Sequence, residues 1–326
     1  MRHFYLATSL LLIAALTACS GDTEPGIDIV NDTTNIGTDT GTDNSTQDYI
    51  ADHTNTNLSL IPQSAIELAK SHLHIAYQHT SHGSHLIVGM NSLASFPSFG
   101  ALYAWDDSGQ IANALDLDDY GIVGSVEDLS QGDSEDINGD TPWANATREL
   151  LNNPANSHIN VVIWAWCSID GHDVERYITN MEKLIAEYPH VDFVFMTGHA
   201  EGQGEDLTPN SVHFNNQRIR EHAHANNRWL FDFADIEAYN PDGGYFWDLR
   251  LWDNLDYEGG NNWAVEWILQ NPGSELEQMT TGLGVDGFDG TSGCVHSDSP
   301  HEANLNCVLK GRAAWWLWAR IAGWTG

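Results

Sequence analysis

His74-Ile-Ala-Tyr-Gln-His-Thr-Ser-His-Gly-Ser84 is the stretch on which the fold turns. Leu73 to Tyr77 is an apolar run that reads as a buried strand, and polar Gln78 ends it. A turn then gathers His79, Thr80, Ser81, His82, Gly83 and Ser84. In α/β proteins the carboxyl ends of the strands open onto the ligand crevice, so nucleophilic residues just after a first strand stand where chemistry is presented. Upstream, Ile61 to His72 reads as a short helix with Pro near its start. Downstream, a helix after Gly83 carries Leu86, Ile87, Met90 and Leu93 on one face.

Further along, the Asp-rich region Trp105 to Asp119 reads as loop and Tyr120 to Val126 as a second strand. Ile159 to Trp166 is a continuous apolar run, the pattern of a strand buried on both faces. Asp173 to Tyr188 has helical spacing, Val191 to Thr197 is another buried strand, Ser211 to Asn226 a polar helix, and Trp229 to Ala234 a fifth strand. Strands alternating with helices imply right-handed crossovers and a parallel sheet. The expected fold is therefore α/β, with a five-stranded parallel sheet. Residues 240–293 break the rhythm with Gly, Asn, Asp and aromatics, and read as a loop-rich insertion, a lid or substrate wall. Asn306 to Trp324 should be a buried C-terminal helix.

The N-terminus has a separate logic. Arg2 and His3 precede an apolar run, Phe4 to Leu16, too short to span a bilayer. Leu16-Thr17-Ala18-Cys19 resembles a bacterial lipobox, which makes residues 1–18 a signal peptide and Cys19 the lipidated mature end, with Ser20 pointing to the outer membrane. Residues 19–57, poor in large apolar side chains, cannot bury enough surface to order themselves and read as a flexible spacer. Residues 58–326, about 270 in number, suit one domain. The expected location is the cell envelope or exterior of a bacterium, with the membrane met only through the lipid anchor.

The formal charge is −34, from 12 Lys+Arg against 46 Asp+Glu. Such a surface excludes nucleic acid as a partner, since phosphate binding needs a basic face. Cys294 and Cys307 bracket a short polar loop and could close it as a disulfide, leaving Cys167 as a buried free thiol. Calcium-loop spacing in Asp136-Ile-Asn-Gly-Asp140 lacks the later Gly and the terminal acid, so a polar turn is expected there.

The order of parts resembles the SGNH (GDSL-like) hydrolase superfamily, with a serine after strand one, a glycine after strand two, a polar residue after strand three and an Asp-X-X-His before the last helix. The resemblance implies a three-layer α/β/α sandwich with a flavodoxin-like sheet and a serine esterase without cofactor. It places Ser81 as nucleophile, with Ser84 as rival. Gly124 and Ser168 stand at the oxyanion positions; the family's Asn is absent, so either Ser168 or a nearby donor such as His199 substitutes, or activity is low or absent. His301 with Asp298, which match Asp-X-X-His, compete with His296 as general base. A histidine base must take the serine proton in the correct tautomer. The substrate implied is a small-molecule or polysaccharide ester, with acyl (acetyl) groups removed from a carbohydrate. Secretion and the aromatic residues between Phe246 and Trp267 support that class. Two other readings stand beside it. One is a catalytically weak or inactive binding lipoprotein on the same scaffold. The other is a metal-dependent hydrolase built on His79, His82 and His85, a cluster that lacks the His-Glu-X-X-His arrangement of zinc peptidases.

Overall fold

A computed structural model describes residues 49–132 and 134–326. The expected signal peptide, Cys19 and most of the expected spacer lie outside the described residues. Strands run β1 Ile50–Ala51, β2 His74–Gln78, β3 Trp105–Asp106, β4 Leu115–Asp119, β5 Val161–Trp164, β6 Asp192–Met196 and β7 Leu230–Phe231. They form one seven-stranded sheet in the order β1-β7-β6-β5-β2-β4-β3. Every pairing in it is parallel. Nine α-helices accompany it among the described residues: α1 Gln63–His72, α2 Ser84–Ser95, α3 Pro142–Asn152, α4 Val174–Glu187, α5 Val212–Asn226, α6 Phe233–Ala238, α7 Trp263–Gln270, α8 Glu275–Thr281 and α9 Leu305–Ile321. None is long and apolar enough to cross a membrane.

The sheet holds seven strands where five were expected, and three differences have physical reasons. The second strand lies at Leu115–Asp119, in the region expected to be loop, and not at Tyr120–Val126. Its Leu115 and Leu117 are fully buried, whereas Asp116 faces His74 across the pair and bonds its Nδ1 at 2.6 Å. The aspartates disguise an alternating strand. Ile50 and Ala51, read as spacer, form an edge strand on β7 and are buried. The insertion 240–293 is less loop-like than its composition: it contains α7, α8 and a hairpin, Asp256–Tyr257 with Asn261–Asn262. At the calcium-like turn the cation is the chain's own. The Lys183 ammonium donates to Gly139 O at 2.8 Å and to Asp140 Oδ1 at 2.9 Å.

One helix crossing sets the register of everything that follows. A Cβ added at Gly89 of α2 would fall 1.9 Å from Cys307 O and 2.6 Å from Gly311 N, both in α9. Only two glycines let these backbones touch. A close approach of this kind fixes both helices, because neither can slide without a steric clash. α9 is buried along nearly its whole length, polar residues included, so its Asn306 and Lys310 are carried inward against α2 and α6.

Candidate active site

Chemistry-bearing side chains collect at the carboxyl ends of the strands, where β4 and β5 flank β2 and the chain direction of winding reverses, the usual place for a ligand crevice. Gln78 ends β2, and a tight turn follows in which Gly83 N–H bonds Thr80 O at 2.9 Å. Gly83 is demanded by crowding: a Cβ there would lie 2.4 Å from His79 Cβ and 2.7 Å from Ala165 Cβ. Ser81, half-buried, sits in this turn with φ of 39°, a left-handed conformation costly for a residue with a Cβ. Thr80 anchors the turn from the other side by donating its hydroxyl to buried Asp128.

Ser81 Oγ lies 2.8 Å from His296 Nε2. His296 also has positive φ, 64°, in the loop closed by the Cys294–Cys307 disulfide. Three long-range links deliver the imidazole. The disulfide ties its loop to α9. His85 of α2 donates Nε2–H to Val295 O at 2.5 Å, which leaves its Nδ1 to accept from Lys310 Nζ at 2.9 Å. The His296 ring then lies flat on His82, centroids 4.5 Å apart.

Behind this pair stands a buried polar network. His82 donates Nε2–H to Asp253 Oδ2 at 2.8 Å and stacks on His199 at 3.5 Å. Burial holds the His82 pKa below the ordinary range, against the pull of Asp253. Burial opposes ionisation of Asp253, yet the His82 hydrogen bond, with the charges of His82, His199 and His296, keeps its pKa low. Lys310 Nζ bonds Glu237 Oε1 at 2.5 Å and Asn306 Oδ1 at 2.7 Å. Complete burial lowers the Lys310 pKa to about 8, although Glu237 pulls the other way. Burial, and then the Lys310 charge, hold His85 well below its ordinary pKa, so it is a neutral donor to Val295 O.

The other expected site residues sit elsewhere. His301 is exposed in the turn before α9, where Asn304 Nδ2 lies 3.3 Å from its Nδ1 and 2.7 Å from its carbonyl. Asp298 is exposed too, and among the described residues neither it nor His301 is bonded to Ser81. Ser168 donates its hydroxyl to Glu201 Oε1 at 2.6 Å, so that donor is already engaged. Gly124 is exposed and packs on α3, where an added Cβ would meet Ala146 Cβ at 2.5 Å. His199 Nε2 faces Cys167 O at 2.8 Å. Cys167 is free and half-buried, where full burial was expected. Ser84 opens α2, and its Oγ has no hydrogen-bond partner among the described residues.

His79, His82 and His85 do not converge. Their partners are Asp119, Asp253, and Val295 with Lys310. His82, His199 and Asp253 do bring donor atoms within 4.8 Å of one another. However, His82 Nε2 is already on Asp253, and both His199 nitrogens face backbone carbonyls, at 2.8 and 3.0 Å. The donor set suits a hydrogen-bonded stack better than a metal.

Asp253, Glu237, Lys310 and Glu201 were not singled out from the sequence. Lys310 had a visible signal: a lysine in a helix expected to be buried must find a buried partner. Asp253 had none, lying among many exposed acids of the insertion. No model of a known family, no curated protein and no solved structure matches this chain.

Proposed function

We propose that this protein is a serine esterase of SGNH-like type that removes acyl groups, acetyl among them, from a carbohydrate or similar ester. The observation that carries the reading is the 2.8 Å contact of Ser81 Oγ with His296 Nε2, on a serine held at positive φ beyond the end of β2. A nucleophile presented on a strained turn and bonded to an imidazole is the arrangement that nucleophilic acyl transfer needs. Leaving out the two short edge strands, the remaining five run β7-β6-β5-β2-β4. In chain order that is 2-1-3-4-5 read from the other end, which supports the flavodoxin-like layout.

In this mechanism Ser81 Oγ attacks the ester carbonyl as His296 Nε2 takes its proton. The tetrahedral oxyanion forms beside the first backbone N–H groups of the Ser81 turn, which helix geometry leaves without intrahelical partners. His296 then protonates the departing alcohol. Water, activated by the same imidazole, releases the acid and returns the proton to Ser81. Among the described residues no carboxylate is bonded to His296. Asp253, bonded to the ring on which His296 stacks, supplies the compensating charge as the imidazolium forms.

Labelling of the soluble chain by a fluorophosphonate probe tests the reading. Labelling and hydrolysis of 4-nitrophenyl acetate should vanish in Ser81→Ala, and kcat/KM should drop by about 10²–10⁴ in His296→Ala, the range for a lost general base. Wild-type labelling and turnover matched by Ser81→Ala would overturn it. The engagement of Ser168 with Glu201 favours a second reading, a scaffold with little turnover that serves in binding. That reading predicts no labelling of the wild type. The lipid anchor at Cys19 and the placement in a bacterial cell envelope are part of the same proposal.

A further inference from the structure

The wall of the site beyond His296 is built from the insertion. Trp252 is 52% exposed, whereas Trp247, Trp263 and Trp267 of the same insertion are buried. Its exposure is not looseness. One side of the indole lies on Gly202, so close that a Cβ there would fall 2.2 Å from Trp252 Cε2. The backbone is fixed as well, by the Glu201–Trp252 bridge and by Trp252 N–H to Asp256 O at 2.8 Å. A rigid indole therefore turns its edge and open side to solvent at no ordering cost on binding.

Two depressions meet at this residue. One, about 320 Å³, is lined by Trp252, Asp253, Asn254, Asp256 and His296. The other, about 400 Å³, is lined by Trp252 and Asp256 again, with Arg250, Tyr257 and Glu258 among its walls. They adjoin at Trp252 and Asp256, and the first reaches His296, the partner of Ser81, so together they form a candidate cleft beside the exposed indole. Its polar rim offers acceptors and donors together. Asp256 already accepts from Asn254 at 2.7 Å and Asn262 at 3.0 Å, which orients its carboxylate. Arg250 contributes the rim's cation, and Asp253, Asp256 and Glu258 its acceptors.

A flat apolar face ringed by oriented carboxylate, amide and guanidinium groups matches a pyranose, whose C–H face is apolar and whose equatorial hydroxyls both donate and accept. The excess of acceptors over cations opposes a uronate. We propose that this cleft is a binding subsite for a neutral sugar ring, with Trp252 as its stacking platform, and that it receives the carbohydrate part of the ester. The inference rests on the esterase reading only for what happens at Ser81; the binding itself does not.

Two measurements on the full chain separate the claims. The first compares kcat/KM for acetylated xylotetraose with that for 4-nitrophenyl acetate. The ratio should fall about tenfold in Trp252→Ala, the loss of one aromatic contact, and recover in Trp252→Phe. A parallel change in both substrates overturns the subsite. The second titrates unacetylated xylotetraose into Ser81→Ala by calorimetry. Saturable binding, weakened about tenfold when Trp252→Ala is added, supports the subsite even where the wild type hydrolyses neither ester, an outcome that sinks the esterase reading alone. Absence of binding, or tighter binding of tetragalacturonate than of xylotetraose, overturns the proposal while leaving hydrolysis of 4-nitrophenyl acetate untouched as evidence for the esterase.

Discussion

Ser81 holds a conformation that works against the stability of its own turn. A non-glycine residue in the left-handed region costs on the order of 1–3 kcal/mol. Strain kept at a candidate nucleophile should be recoverable. Ser81→Gly is expected to raise the unfolding free energy by about 1 kcal/mol while abolishing fluorophosphonate labelling. Denaturant melts read the first effect, and a stability loss would show that the turn is not strained. At Lys310 the balance is different. The ammonium is fully buried against Glu237, and removing one partner leaves a charge without compensation. Lys310→Met should destabilise by about 3–5 kcal/mol, and the Lys310→Met/Glu237→Gln pair by less than the single change. Urea melts of the two variants decide; a double variant worse than the single would refute the pairing as the source of the cost.

Among elements, the crossing of α2 and α9 sets the distance between Ser81 and His296. Adding one methyl at Gly89 puts it inside van der Waals contact of the α9 backbone. Gly89→Ala is expected to cost about 3 kcal/mol and to depress esterase turnover further than stability alone explains. Thermal melts and residual activity at a temperature where the variant is fully folded separate the two effects. A second inter-element clamp joins the segment after β1 to α6. His53 Nδ1 bonds Asp235 Oδ2 at 2.5 Å. Burial lowers the His53 pKa, but the hydrogen bond and charge of Asp235 outweigh it and the net shift is upward. A raised histidine stabilises fully below its unfolded value of 6.5 and loses that contribution as pH rises through the folded value. The melting-temperature gap between wild type and His53→Gln should therefore be wide near about pH 6 and narrow above about pH 8. A gap that is flat with pH would show that the pair contributes no charge-dependent stability.

For the whole molecule, legibility followed the range of the interactions. β2, α2 and α4 were readable because their apolar periodicity is local, and Asp173 and Ser211 cap their helices through side chains a few residues away. β4 was hidden because the sheet partner that makes Asp116 acceptable in a strand, His74, lies 42 residues earlier. The choice between His296 and His301 could not be read locally, since both are histidines of one polar loop. The distance to Ser81 is decided by a glycine crossing, a buried lysine and a disulfide, all contacts between distant parts of the chain. Asp253 and Trp252 belong to the same class: the contacts behind the roles proposed for them, Asp253 with His82 and Trp252 with Gly202, join distant parts of the chain.

The disulfide carries a consequence for when the molecule becomes competent. Cys294 lies two residues before His296, and its bond to Cys307 closes a loop of 13 residues. Closing a loop of that size restrains the unfolded chain by roughly 3 kcal/mol, and here the restrained residue is His296, the proton acceptor of the proposed mechanism. If the proposed dyad acts, oxidation is expected to complete it: a fully reduced chain can form its sheet yet leave His296 unfixed beside Ser81. A thiol reductant should act as an inhibitor that never touches Ser81, silencing nitrophenyl acetate turnover before circular dichroism registers any loss of structure. Turnover that survives until the fold itself melts would mean that the loop keeps time by some other contact.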